Sequence, residues 1–342
     1  MSICIFDLMS VLKYCTSFVF IFLGYLSLTG TGIETYYLLI FSFVCIPLFE
    51  LVLPPSKSSN SSKNLVLYDV ILYLLAPLYI ALFVYFLITI GEEHNTASLI
   101  GKITAMGLLC GIFGINMAHE LGHRKSKFDQ FLAQLLLSTT QYTHFFIEHN
   151  RGHHKRVGTL EDPATARKGE TVYGFWVRVI TQSYMSAWHL EKSRLNRLGG
   201  NTWSMQNAMV RYALIQVCLI VVVGIAFGIS VLGIYAVTSL FGILLLETIN
   251  YIEHYGLTRK KISSASYERV QDIHSWNADH LLGRTLLFEL TRHSHHHANS
   301  LIKYPLLESR EEASQLPSGY PGMMLLSLIP PLWFKVMHKR LP

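Results

Sequence analysis

Charge is scarce in this chain: Asp, Glu, Lys and Arg make up 15% of its 342 residues, against about a quarter in an ordinary soluble domain. With 51% of the residues hydrophobic, a water-soluble single domain is excluded. Cysteine is scarce too, and the five present (Cys4, Cys15, Cys45, Cys110 and Cys218) stand singly in apolar stretches. That rules out a secreted disulfide framework. The absence of any CxxC pair likewise rules out a cysteine-ligated zinc ribbon or iron–sulfur centre. A glycine-rich dinucleotide fingerprint is also missing, so no flavin or nicotinamide site is expected. No fixed-period repeat or low-complexity tract stands out.

What the chain has instead is length in apolar runs. Those near 10–30, 33–53, 66–90, 97–118, 209–228 and 231–250 each hold about 20 residues, enough for a helix to cross about 30 Å of hydrocarbon. Six transmembrane helices are expected. No basic stretch precedes the first run and no A-x-A-like site closes it, which predicts a retained anchor and not a cleaved signal peptide. Residues 54–64 (PPSKSSNSSKN) read as a polar loop, and 119–208 and 251–342 are long polar segments where charge and histidine concentrate. Of the 28 Lys and Arg, two fall in 54–64, twelve in 119–208 and eleven in 251–342, while the connections at 31–32, 91–96 and 229–230 carry none. Basic residues gather on the cytoplasmic side of membrane proteins, so both long segments and both termini are expected there. The exceptions, Lys13, Lys102 and Arg211, sit near expected helix ends, where a long side chain reaches the interface.

The net charge of +6 describes that one face. Without a groove-entering motif or a base-stacking signature it does not point to nucleic acid; anionic membrane lipid and an acidic protein partner remain open. One segment is ambiguous. Residues 128–147 (FDQFLAQLLLSTTQYTHFFI) are long enough to span, but a seventh crossing would separate His149, His153 and His154 from His119 and His123. We place the segment as a buried or interfacial helix. The expected fold is thus an all-α integral membrane protein with six transmembrane helices and a cytoplasmic helical cap. Residues 1–118 hold helices one to four, 119–208 a histidine-bearing segment, 209–250 helices five and six, and 251–342 a second histidine-bearing and C-terminal segment, all in one integrated domain.

Histidine is in excess: 16 are present, 14 of them between His119 and His297 and mostly clustered. His119-Glu-Leu-Gly-His123 closes the fourth run, and an i,i+4 pair projects from one helix face, where two imidazoles can grip one metal. The string also satisfies HExxH, which on a helix reads as a zinc-protease site with Glu120 as base. Other metal use and a hydrogen-bonded structural pair are the alternatives. Glu148-His149-Asn-Arg-Gly-His153-His154 adds three imidazoles, and Arg292-His293-Ser-His295-His296-His297 adds three or four. Lone core histidines and surface histidine tracts do not predict three clusters spaced H-x3-H, H-x3-HH and H-x2-HH in one compartment. Eight imidazoles exceed the three or four ligands of one zinc site, so two metals are expected.

Together with Asn250-Tyr-Ile-Glu-His254-Tyr-Gly-Leu257 and His274-Ser-Trp-Asn277, these clusters closely resemble the membrane-bound non-haem di-iron alkane 1-monooxygenases, within the histidine-box fatty-acid desaturase and hydroxylase superfamily. The resemblance runs from about Asn116 to Pro321 and takes in Asp162-Pro-Ala-Thr165 and Gly319-Tyr-Pro-Gly322. The first hundred residues match in hydropathy alone. Carried over motif by motif, the resemblance implies two irons held by His119, His123, His149, His153, His154, His254, His293, His296 and His297; the clusters alone would miss His254. It implies molecular oxygen as co-substrate and insertion of one oxygen atom into the terminal methyl of a medium- or long-chain n-alkane, with the other released as water. Electrons would come from a separate rubredoxin fed by rubredoxin reductase, at the cytoplasmic face of a bacterial inner membrane. Rubredoxins are typically acidic, which suits the basic face. Chemistry agrees on iron, since zinc has no redox chemistry while non-haem ferrous iron activates oxygen, although the common oxygenase site has two histidines and one carboxylate.

Two positions depart from the family pattern. His295 stands where the third box usually has Asp, and the HHAHP continuation reads His296-His-Ala-Asn-Ser300. Neither removes a matched ligand, but His295 could compete for iron or alter its surroundings. Glu120, Glu148 and Glu253, each beside a matched histidine, and Asp162 are expected to orient imidazoles and offset metal charge, with direct ligation by the glutamates left open. An alkane partitions into hydrocarbon and could reach the irons between helices. Ser42, five residues before Pro47, is expected to leave the far end of such a channel open, where the family often has a bulky aromatic; simple packing of a small residue against a neighbouring helix is the alternative. Four rivals remain. A membrane fatty-acid desaturase or hydroxylase uses similar boxes, a zinc protease would leave seven matched histidines idle, a metal transporter would want ligands midway along several spans, and a purely structural membrane protein would need no clusters.

Overall fold

The computed structural model describes residues 10–59, 65–264 and 266–342; Cys4 and part of the 54–64 loop lie outside them. Four apolar helices come first: α1 Ser10–Thr29, α2 Gly32–Val52, α3 Val66–Glu92 and α4 Thr96–Gly122. Each is apolar nearly all round, and a helix satisfies its own backbone polar groups where no water can. Local signals set their ends. The Glu34 carboxylate takes the Thr31 amide at 3.1 Å to start α2, and the Asn95 side chain accepts from Ser98 at 2.9 Å to start α4. The outer faces carry large apolar residues such as Val52 at 83% exposure and Ile225 at 82%, a surface suited to lipid. The chain is a membrane protein.

Then come α5 Lys127–Thr139, α6 Val172–Arg197 and α7 Ala208–His254. The ambiguous 128–147 segment is split. Its first part is α5, capped by Ser126, which buries Ala133, Leu136 and Leu137 while exposing Phe128 and Phe131. At 13 residues it is about 20 Å long, too short to cross hydrocarbon. The second part turns into a short helical run that carries His149, His153 and His154.

Five helices, not six, emerge as candidate spans among the described residues, because the last two expected runs join as α7. That helix of 47 residues is not straight: Gly228 has φ 88 and ψ 167, a conformation essentially reserved for glycine. The Tyr212 hydroxyl donates to Gln134 Oε1 at 3.0 Å, and Gln141 Nε2 donates to the Tyr235 hydroxyl at 2.9 Å. An unbroken helix would hold these two tyrosines about 35 Å apart, yet both reach one short stretch around α5. The chain therefore doubles back at Gly228.

The remainder is short elements over the ends of α4 and α7: α8 Leu281–Leu286, α9 His293–Ala298, α10 Tyr320–Ser327 and α11 Pro330–Met337. Two small strand pairs, Lys261–Ser263 with Ser266–Tyr267 and Trp276–Asn277 with Ser314–Gln315, make the fold mostly helical and not purely so. One apolar core fills the space among α1 to α4 and α7. A second, around Tyr251, Tyr255, Trp276 and Trp333, ties α6, α10 and α11 to the end of α7. Between α8 and α9 runs a fully buried ionic network. Arg284 Nε meets Glu289 Oε2 at 2.7 Å, Tyr14 donates to Glu289 Oε1 at 2.7 Å, and Arg292 Nη2 donates to the Ser58 carbonyl at 2.7 Å. Phe288 and Glu289 take positive φ values of 53 and 57 within this network, so paired charges hold the turn that leads into α9.

Candidate metal centre

Four pieces of backbone converge where α4 and α7 end. The His119 and His123 side chains leave the last turns of α4, His254 is the last residue of α7, and His293, His296 and His297 come from α9. The fourth piece, His149–His153, is π-helical: the His154 amide bonds the His149 carbonyl, an i to i+5 step. In an α-helix residues five apart point about 140° apart, whereas a π turn brings them to one face. His149 and His154 accordingly face one way and His153 another.

The outcome is two groups of ring nitrogens, each with all donor atoms within 4.8 Å of one another: His119, His123, His149, His154 and His296 in the first, and His153, His254, His293 and His297 in the second. All nine histidines implied by the resemblance are here. In the first group the Nε2 atoms of His119 and His296, His123 and His149, and His149 and His154 are each 3.0 Å apart, and those of His154 and His296 are 3.1 Å apart. In the second, His153 and His297 are 3.2 Å apart, His297 and His293 2.9 Å, and His293 and His254 3.0 Å. Mutual hydrogen bonding does not explain this, because a neutral imidazole Nε2 carries either one proton or one lone pair, and His149, His154, His293, His296 and His297 would each need two. Two nitrogens about 2.1 Å from one ion and at right angles lie about 3.0 Å apart. The nitrogens are spaced as edges of two coordination polyhedra, and the donor set fits a metal centre.

Burial first, and then the neighbouring imidazoles, hold His149, His154, His293, His296 and His297 well below the usual histidine range. The rings are therefore neutral, the form in which imidazole ligates. His153 Nδ1 lies 2.9 Å from Asp162 Oδ2, which also accepts from the Thr165 hydroxyl at 2.6 Å. Burial works to raise the Asp162 carboxyl, but His153 and Thr165 outweigh it and hold it below the ordinary value. Such an acceptor fixes the proton on Nδ1 and turns Nε2 toward the metal.

The glutamates part company. Glu253 Oε2 is 3.3 Å from His293 Nε2, at the edge of the second group, and its Oε1 accepts from the Tyr320 hydroxyl at 2.8 Å. Glu120 instead faces Arg124 at 3.1 Å, and that guanidinium also meets Asp69 at 2.9 Å. Glu148 faces Arg156 at 2.5 Å, although burial still pushes its carboxyl up to about 7. His295 belongs to neither group; its Nδ1 accepts the Glu308 amide at 2.9 Å. The step from His293 to His295 carries its ring away from the side shared by His293, His296 and His297.

Beside the second group lies an apolar cavity of about 60 Å³. Its lining runs from Ile249, Leu287 and Tyr320 near the histidines to Leu108, Gly111 and Ser42 deeper among α2, α4 and α7. Ser42 is 5% exposed and its hydroxyl donates back to the Leu38 carbonyl at 2.7 Å. A second apolar cavity shares Phe43, Leu245 and Met324 with the first and extends to Val44 and Leu325 on the outer face. Sequence reasoning missed one buried group here. Glu247, two turns before His254, accepts from Tyr142 at 2.8 Å and from Asn250 at 3.0 Å. The available signal was an acidic residue inside an apolar run, which in a membrane helix marks function.

Residues 96–327 match the family model described as fatty acid desaturase. The alkane 1-monooxygenase of Ectopseudomonas oleovorans is 37% identical over 314 residues, which is 90% of this chain and 78% of that protein. Alkane 1-monooxygenase 1 of Alcanivorax borkumensis is 36% identical over 335 residues, 96% of this chain and 82% of that one. The chain belongs to the alkane 1-monooxygenase family. The Acinetobacter baylyi alkane 1-monooxygenase adds 42% identity over 251 residues, 72% of this chain and 61% of the relative. The 96–327 match begins with α4 and ends with α10, so it covers every histidine of the two groups.

Proposed function

We propose that the chain is a rubredoxin-dependent alkane 1-monooxygenase that hydroxylates the terminal methyl of medium- and long-chain n-alkanes, with two irons held by His119, His123, His149, His154 and His296 on one side and His153, His254, His293 and His297 on the other. The observation that carries this reading is the two nitrogen groups beside an apolar cavity, in a chain similar over most of its length to alkane 1-monooxygenases. Bound iron would supply oxygen activation, which zinc lacks, with one oxygen atom entering the C–H bond and the other leaving as water at the cost of two external electrons and two protons.

The protein's own residues do the rest. Asp162 orients His153, and Glu253, shared with Tyr320, offsets charge at the second group or joins it as a ligand. The apolar lining holds an alkane chain and excludes water from the reacting methyl. In this reading the chain crosses a bacterial inner membrane six times, with the reversal at Gly228 separating the fifth and sixth crossings and both termini, the helical cap and the metal centre on the cytoplasmic side. The stretches 1–118, 119–208, 209–250 and 251–342 work as one catalytic domain. Glu120, bound by Arg124, is not free to act as the base of a zinc protease. The test is metal analysis together with oxygen uptake on octane and hexadecane in the presence of rubredoxin, its reductase and a nicotinamide donor. Two irons per chain and alkane-dependent uptake support the proposal, and activity with zinc alone refutes it.

A further inference from the structure

The electron route into the metal centre has a visible address. Of the nine histidines in the two groups, His123 alone lines a funnel of about 610 Å³ whose walls include Gln130, Asn150, Arg151, Arg194 and Arg211. The funnel opens between Gly122, where α4 ends, and Ala208, where α7 begins, so its mouth lies at the aqueous border of the bilayer.

We infer that this funnel is the docking surface of the small acidic electron carrier and that His123 is the ligand through which electrons enter. The inference rests on the proposed oxygenase function and locates its partner. Three observations support it. Charge comes first: three guanidiniums line the funnel against one carboxylate, Glu191, which bonds Arg151 at 2.5 Å and Arg194 at 2.9 Å. Arg211 Nη1 meets only a carbonyl there, that of Met205 at 2.6 Å. Positive charge in excess attracts an acidic protein and steers its approach.

The rim comes second. Leu301 at 57%, Met205 at 60% and Trp203 at 77% exposure stand on the funnel or on the loop that precedes α7. Apolar and aromatic residues with Arg beside them are the composition of protein interfaces. Third, the lining sets amides and guanidiniums beside Phe146, Ile147 and Tyr212 around His123, the mixture of apolar, aromatic and Arg side chains that a protein partner covers. With iron bound, each docking event would pass one electron from the carrier, which is oxidised, to the metal centre, and two such events would supply the pair that the reaction consumes.

The experiment measures binding of reduced rubredoxin to the full-length protein in nanodiscs, and steady-state kinetics on octane, for wild type, Arg211→Glu, Arg194→Gln and the control Lys339→Glu, whose site is exposed and outside the funnel. Arg211→Glu should weaken rubredoxin binding about tenfold and flatten its salt dependence, raising KM for rubredoxin while KM for octane and iron content stay at wild-type values. Arg194→Gln, which removes a charge without reversing it, should give a smaller shift in the same direction, and Lys339→Glu none. Equal binding by Arg211→Glu and wild type overturns the inference. So does a loss that depends on phosphatidylglycerol in the nanodisc and is absent in neutral lipid, since the funnel would then be a lipid-headgroup site. Wild-type protein that binds rubredoxin yet oxidises no alkane would sink the oxygenase reading while leaving the docking surface in place.

Discussion

Ser42→Trp separates the substrate channel from ordinary helix packing. Ser42 is 5% exposed, sits in a π-helical turn of α2 and lines the inner cavity opposite Leu108 and Gly111. Leu108 is eleven residues before His119, about 16 Å along a helix, whereas Ile249 is five residues before His254, about 8 Å. An alkane with its terminal carbon at the metal therefore passes Ile249 first and reaches Ser42 only with its distal carbons. Each buried methylene is worth about 0.8 kcal/mol, so an indole that denies the chain about four methylene positions removes about 3 kcal/mol, on the order of a hundredfold. Loss of the serine hydroxyl bond to Leu38 costs about 1 kcal/mol, and that cost falls equally on every substrate. The assay is competition between octane and hexadecane in one vessel, read as the ratio of 1-alkanols. The ratio should move toward 1-octanol by on the order of a hundredfold with octane turnover near wild type. Equal loss on both chains together with a lower folded yield would refute the channel assignment and leave an overpacked helix contact, at about 1–3 kcal/mol, as the cause.

Other perturbations address the remaining parts. His254→Ala removes one of four donors of the second group and should lose at least one iron per chain, whereas His295→Ala, whose ring bonds the Glu308 amide instead, should retain both; metal analysis decides. Asp162→Asn leaves the nine imidazoles in place but weakens the acceptor that fixes the His153 proton, so second-group metal affinity should fall about 10- to 100-fold, and unchanged affinity in a chelator titration would remove Asp162 from that role. Gly228→Ala meets no atom within 4 Å of its new Cβ, so its cost is torsional alone, about 1–3 kcal/mol. Its thermal midpoint should drop in nanodiscs with iron content unchanged, and an unaltered midpoint would mean the chain does not reverse there.

The site was more legible than the way it is held. Metal ligation demands particular residue types, and His119, His123, His149, His153, His154, His293, His296 and His297 announce themselves in clusters. His254 does not, because it is single, and the resemblance supplied it. Which histidine serves which group could not be read from spacing, since α-helical periodicity pairs His149 with His153 while the π turn pairs it with His154. The glutamates were misleading for a related reason. Adjacency to a ligand made Glu120, Glu148 and Glu253 look equivalent, yet the partners that decide among them, Arg124, Arg156 and Tyr320, are set by the folded chain.

Spans were legible because hydrocarbon thickness fixes a length and a composition, and α1 to α4 fall where the apolar runs put them. The break at Gly228 also falls beside the expected connection at 229–230, although no polar loop marks it. Contacts between segments distant in sequence were not legible. Arg284, Glu289 and Arg292 are buried at 0%, 1% and 1% exposure and fasten α9 to the carbonyls of the α2–α3 loop. A paired buried network of this kind adds little net stability but is costly to break at one member, about 3–5 kcal/mol. Placed one turn before His293, it makes the position of three imidazoles depend on a loop more than 200 residues away in sequence. That dependence gives the first hundred residues a part in the metal centre, although none of those described belongs to either nitrogen group.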